Sequence, residues 1–141
     1  MAVRTGDAVW NGTLTKGRGE MKAGLNGPAA PYSFSSRFES GQGSTPEEFI
    51  GAAHAGCFSM AFAGTLEQAG FTPVSIKTVA RVAIEKGGDG FSITSIELVT
   101  VASVPGIDEK TFREKAEAAK ALFVPARVSA HAVVSALAPR L

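Results

Sequence analysis

The sequence predicts an α+β domain, and three observations carry that prediction. Residues 46–69 hold a helix start, a helix stop and apolar side chains on nearly every face. Residues 74–86 and 91–104 are rich in Val, Ile and Thr and are joined by Gly87-Gly88-Asp89-Gly90, the pattern of a β-hairpin. The order is strands, helix, hairpin, helix, strand, which groups like elements instead of alternating them. With 141 residues, 45% of them apolar and 19% charged, the chain is long enough for a real core and is read as one domain, 1–141.

The N-terminal third reads as strands and turns. Residues 3–10 end in Val9-Trp10, and Asn11-Gly12 is a hairpin-turn signal, so 13–23 are expected to form the returning strand. Residues 24–31 are rich in Gly, Pro and Ala and read as loop. Tyr32 to Phe38 alternates large and small side chains, which suits a half-buried strand.

The long helix begins with independent signals. Thr45 can cap the free N–H groups, and Glu48 completes a capping box. Pro46 occupies the first helical position, where its missing N–H costs nothing, and Glu47 and Glu48 complement the helix dipole. Gly70 is a suitable left-handed stop. Phe49, Ile50, Ala52, Ala53, Ala55, Phe58, Met60, Ala61, Phe62 and Leu66 leave no polar face, so this helix is expected to be enclosed by protein on most sides. A chain this small hardly encloses it alone, which points to a partner subunit. Beyond the hairpin, Pro105-Gly106 is a turn, Asp108 caps a helix from 109 to about 123, and Phe112, Ala116, Ala119 and Phe123 share its inner face. Residues 128–137 read as a last strand.

Composition narrows the function. A net charge of +1 with no basic stripe argues against a nucleic-acid partner. Nothing after Met1-Ala2-Val3-Arg4 resembles an apolar signal core, and no run of eighteen apolar residues occurs, so a cytoplasmic protein with no membrane span is expected. One Cys and two His argue against a disulfide framework and a metal site, and no cofactor is expected. The lone Cys57 fits a reducing compartment. By itself it reads more readily as an inert core residue than as a nucleophile.

The segment Arg37-Phe38-Glu39, followed by Thr45-Pro-Glu-Glu-Phe-Ile-Gly-Ala-Ala-His-Ala-Gly-Cys57-Phe-Ser-Met60, closely resembles the OsmC/Ohr family of osmotically inducible and organic-hydroperoxide-resistance proteins. Ala69 to Pro73, Gly90 to Thr94 and Val104 to Asp108 are similar to its OsmC branch. The resemblance implies an intertwined homodimer, with long central helices wrapped by antiparallel sheets from both subunits. It implies thiol-dependent reduction of organic hydroperoxides, and to some extent of hydrogen peroxide. Position by position, Cys57 matches the peroxidatic cysteine, Arg37 the activating arginine and Glu47 its carboxylate partner. The family's resolving cysteine aligns with Phe123, so the implied reductant is an external thiol or dithiol.

Physical chemistry sets terms for those roles. The reactive species is the thiolate, and Cys57 lies about three turns inside the helix, beyond the reach of its dipole. A cation must come from elsewhere, and a guanidinium is always charged. Ten residues of straight helix separate Glu47 from Cys57 by about 15 Å. Glu47 is therefore expected to orient Arg37, with the helix bent or one group supplied by the second subunit. Arg37 read alone fits a surface arginine, and Glu47 read alone fits a first-turn acid. His54, three residues before Cys57, fits a general base or a structural core histidine, the latter being preferred; His131 reads as structural. Glu48 is assigned to capping. Phe34, Phe38, Phe49, Phe58 and Phe123 are expected mostly in the core, with some lining a pocket for an apolar tail. The alternative function is a non-catalytic stress protein that binds a small apolar ligand at the dimer interface, favoured by the missing resolving cysteine.

Overall fold

The computed structural model describes residues 1–122 and the backbone of 132–136. It divides into two compact units, Met1–Phe49 and Ile50–Leu141. Phe123 and His131, with the roles expected of them, lie outside the described residues.

The N-terminal unit is an antiparallel sheet of β1 (Gly6–Asn11), β2 (Arg18–Ala23) and β3 (Ala29–Tyr32), in that order, followed by a short helix α1 (Phe34–Phe38). Gly6 pairs with Ala23 and Gly19 with Tyr32. A side chain at Gly19 would meet the Tyr32 ring at 2.4 Å and the Trp10 ring at 2.7 Å. Glycine there lets those rings lie 5.3 Å apart across the strands.

Three details differ from the sequence reading. The hairpin after Asn11 is not tight, because residues 12–17 form a longer loop closed by Gly17 N–H donating to Thr13 O at 2.7 Å, and the returning strand starts only at Arg18. The segment expected as loop contains β3 from Ala29; Pro31 is tolerated there because β3 is an edge strand. The expected strand Tyr32–Phe38 ends at Tyr32 and becomes α1, because Ser33 and Ser36 form a capping box. The same large–small alternation also spaces Phe34 and Phe38 one helical turn apart, with ring centroids at 5.1 Å.

Helix α2 (Pro46–Gln68) begins in the N-terminal unit and runs through the other. Its start is as expected: Glu48 N–H donates to Thr45 Oγ1 at 3.1 Å, and Thr45 N–H donates to Glu48 Oε2 at 2.8 Å. It stops before Gly70, whose φ of 86° is left-handed.

In the C-terminal unit, β4 (Ser75–Gly87) and β5 (Gly90–Ser103) form the long hairpin, with Ser75 opposite Ser103 and an irregularity at Ala83/Ile84. The chain then passes through α3 (Glu109–Leu122) to β6 (Ala132–Ala136), which pairs with β5 in parallel. Phe58, Phe62 and Leu66 of α2, Ile96 and Leu98 of β5, and Phe112, Ala116 and Ala119 of α3 form one buried cluster. Phe62 meets Phe112 edge to face at 5.2 Å.

Two hydroxyls of α2 are tied to its neighbours. Ser59 Oγ bonds Thr78 Oγ1 at 2.8 Å, and that hydroxyl bonds the buried Thr100 Oγ1 at 2.9 Å. Thr65 Oγ1 lies 3.1 Å from Lys115 O of α3. At Gly51 an added Cβ would sit 3.2 Å from Val82 Cγ2, so this turn of α2 rests directly on β4. By length and composition α2 could also cross a membrane, its mean hydropathy reaching 1.3 over 18 residues. Its packing against β5 and α3 is that of a core helix. The opposite side, with Ala52, Ala53, Gly56 and Met60, is exposed in the single chain, and Met60 keeps 75% of its surface.

Candidate active site

Two of the three expected site residues meet. Arg37, on α1, donates from Nε to Glu47 Oε1 at 3.1 Å and Oε2 at 3.3 Å, and from Nη2 to Oε1 at 2.5 Å. The fork is the geometry that holds a guanidinium in one plane. Glu47 is buried to 7% exposure, while the Arg37 side chain keeps 36%. The pair closes within one chain and within the N-terminal unit, so joining Arg37 to Glu47 needs no second subunit. Nε and Nη2 are both committed to the carboxylate. The guanidinium carbon also stands 5.0 Å from the Phe38 ring centroid, a cation–π contact.

Arg37 forms part of the wall of an open cleft of about 240 Å³ in the same unit. The other walls are Trp10, Leu14, Tyr32, Ser33, Phe34 and Phe38. Phe34 and Phe38 were expected candidates for such a wall. Trp10, Leu14 and Tyr32 were not, because their convergence depends on the β1–β2–β3 register. The available signal was Gly19 between two ring-bearing strands.

Cys57 belongs to the C-terminal unit, half-buried on α2 and packed against the core cluster. His54 is buried, and its Nδ1 lies 2.9 Å from Ile50 O. A carbonyl only accepts, so Nδ1 carries the proton in this contact. Phe58 is fully buried, in keeping with its core assignment. Among the described residues, no three His, Cys, Asp or Glu side chains gather as metal ligands.

The fold and these residues define a class: α+β proteins with one long central helix that carries a cysteine, and an arginine held by a carboxylate from that helix's first turn. The comparisons sharpen it. The family profile described as OsmC-like protein matches residues 39–132, which takes in Glu47 and Cys57 and starts two positions after Arg37. Peroxiredoxin OsmC of Escherichia coli is 47% identical over 121 residues, covering 84% of this chain and 83% of that one. The chain belongs to the OsmC family. Its fold is shared with the organic hydroperoxide resistance protein OhrB of Bacillus subtilis (TM-score 0.71, 16% identity, 94% of this chain and 98% of that one). It is shared also with an OsmC-like protein of unknown function from Vibrio cholerae (TM-score 0.77, 14% identity, 97% and 100%).

Proposed function

We propose that the chain is a thiol-dependent peroxidase that reduces organic hydroperoxides through Cys57, in defence against peroxide stress. The observation that carries this reading is the fork between Arg37 and the buried Glu47, which fixes a cation in the wall of an aromatic cleft. The 47% identical relative is itself named a peroxiredoxin. In the proposed reaction the Cys57 thiolate attacks the distal peroxide oxygen and the O–O bond breaks. The alkoxide leaves and is protonated to the alcohol, and the sulfur becomes sulfenic acid. Arg37 favours the thiolate and stabilises negative charge developing on oxygen. The cleft favours an apolar substituent on the peroxide over hydrogen peroxide itself.

With one cysteine in the chain, no internal disulfide follows. An external thiol condenses with the sulfenic acid, releasing water, and a second thiol frees Cys57 as the first leaves in a disulfide. Without reductant, a second hydroperoxide oxidises the sulfenic acid to sulfinic acid and leaves as alcohol. This reading includes a single functional domain, a cytoplasmic setting and a homodimer. The dimer is supported by the uncovered small-residue side of α2 and by a shallow groove beside it, lined by Gly56, Met60, Ala63 and Val74.

Intact-mass analysis after one equivalent of cumene hydroperoxide, with a sulfenic-acid trap present, tests the chemistry. The expected result is one trapped adduct on Cys57, formed much more slowly in Arg37→Met, whose thiol alkylation should shift to higher pH. An unmodified Cys57 under excess peroxide defeats the reading and leaves the ligand-binding alternative.

A further inference from the structure

We propose that Ser36 is a positioning residue that fixes the Arg37–Glu47 fork; the inference rests on the role of Arg37 given above. Helix α1 has five residues, too few to hold its own geometry in water. Its shape must come from side chains, and Ser36 supplies most of them. Ser36 Oγ accepts from Ser33 N–H at 2.9 Å, and Ser36 N–H donates to Ser33 Oγ at 3.0 Å. Its own hydroxyl hydrogen has two carbonyls in reach, Ser33 O at 3.1 Å and Ser44 O at 3.0 Å.

The contact with Ser44 matters most. Ser44 precedes Thr45, the cap of α2, and Ser44 N–H donates to Pro31 O at 2.8 Å. Ser36, one residue before Arg37, thus joins α1 to Ser44, three residues before Glu47. Gly43 packs close on one side of it: an added Cβ there would lie 3.3 Å from Ser36 Cβ, at a φ of 125°. The fork closes at 2.5–3.3 Å, and Ser36 is the side chain that bonds the helix bearing Arg37 to the backbone just before Thr45.

The test is the rate of sulfenic-acid formation on Cys57 in four full-length proteins: wild type, Ser36→Ala, Arg37→Met and the double variant. Ser36→Ala should slow the reaction by about tenfold to a hundredfold, the scale of a misplaced catalytic group. It should move the pH profile of Cys57 alkylation in the same direction as Arg37→Met. In the Arg37→Met background it should change neither, because Ser36 acts only through Arg37. Ser36→Thr, which keeps the hydroxyl, should restore most of the rate, and this separates positioning from loss of fold. Equal slowing in both backgrounds, or no slowing beside a slow Arg37→Met, overturns the inference alone. An unaffected Arg37→Met overturns the role of Arg37 and this inference with it.

Discussion

The two units of the chain are held together by different physics. The C-terminal unit has a continuous apolar core in which Phe58, Phe62, Leu66, Leu98 and Phe112 are fully buried. In the N-terminal unit no described apolar side chain is buried; the buried positions there are Gly17, Ser33 and Glu47, while Val9, Leu14 and Leu25 keep 61%, 67% and 82% of their surface. That unit is kept in shape by two capping boxes, a buried carboxylate and an aromatic pair. A three-stranded sheet without a buried apolar face has little stability of its own. The lesson is that the half carrying the arginine relies on directional bonds, and on whatever covers its apolar side chains, while the half carrying the cysteine relies on packing.

The strongest way to break this comparison is Phe62→Ala. The side chain is fully buried and contacts Phe112, so unfolding in urea should show a loss of about 3–5 kcal/mol. Leu14→Ala, in the other unit, should cost less than about 0.5 kcal/mol if that residue is as solvated as it is in the single chain. A loss near that of Phe62→Ala would mean that a second copy covers it. Next in size is Met60→Glu, on the exposed side of α2. If two chains meet there, burying a charge should weaken the dimer by about 3 kcal/mol, or a hundredfold in Kd by sedimentation equilibrium. An unchanged dimer would place the interface elsewhere. The smallest effect concerns the cap of α3. Asp108 accepts from Thr111 Oγ1 at 2.7 Å and from Thr111 N–H at 2.9 Å, and the side-chain bond, ahead of the backbone one, holds its carboxyl below the ordinary carboxylate value. A lowered folded value stabilises the fold above the unfolded carboxylate range, and the gain disappears as pH falls through the folded value. Asp108→Ala should therefore lower Tm slightly at neutral pH, and the difference from wild type should vanish on acidification. A pH-independent difference would assign the cap to something other than the ionised carboxylate.

Much of the chain from Thr45 onward was legible because its signals are local. The Thr45–Glu48 box, the stop at Gly70, the Gly-rich turn after β4 and the Asp108 cap each state their structure within a few residues. The even apolarity of α2 was harder to interpret. It records a buried stripe through His54, Phe58, Phe62 and Leu66 on one side and an uncovered stripe of small residues on the other. In the N-terminal unit the period misled: Tyr32 to Phe38 satisfies both strand alternation and a one-turn helical spacing, and the deciding factor was the reciprocal bonding of Ser33 and Ser36. Of the candidate site, the partnership of Arg37 with Glu47 was available from the resemblance. The aromatic cleft was not, since Trp10 and Tyr32 come together only through the strand register.

Gly51 carries a consequence for the whole of α2. Glycine in a helix interior is disfavoured by up to about 1 kcal/mol relative to alanine, yet here it lets the helix backbone settle onto Val82 and Ala80. It works as a fulcrum. The far end of the helix is anchored by Phe62 and Leu66, and the near end rests on bare backbone at Gly51. Cys57 lies between them, about 9 Å along the axis from the glycine. A methyl at position 51 would stand 3.2 Å from Val82 Cγ2, so the valine side chain or the helix would have to give by a few tenths of an ångström. The missing methyl at Gly51 thus lets α2 sit close against β4 six residues before the cysteine.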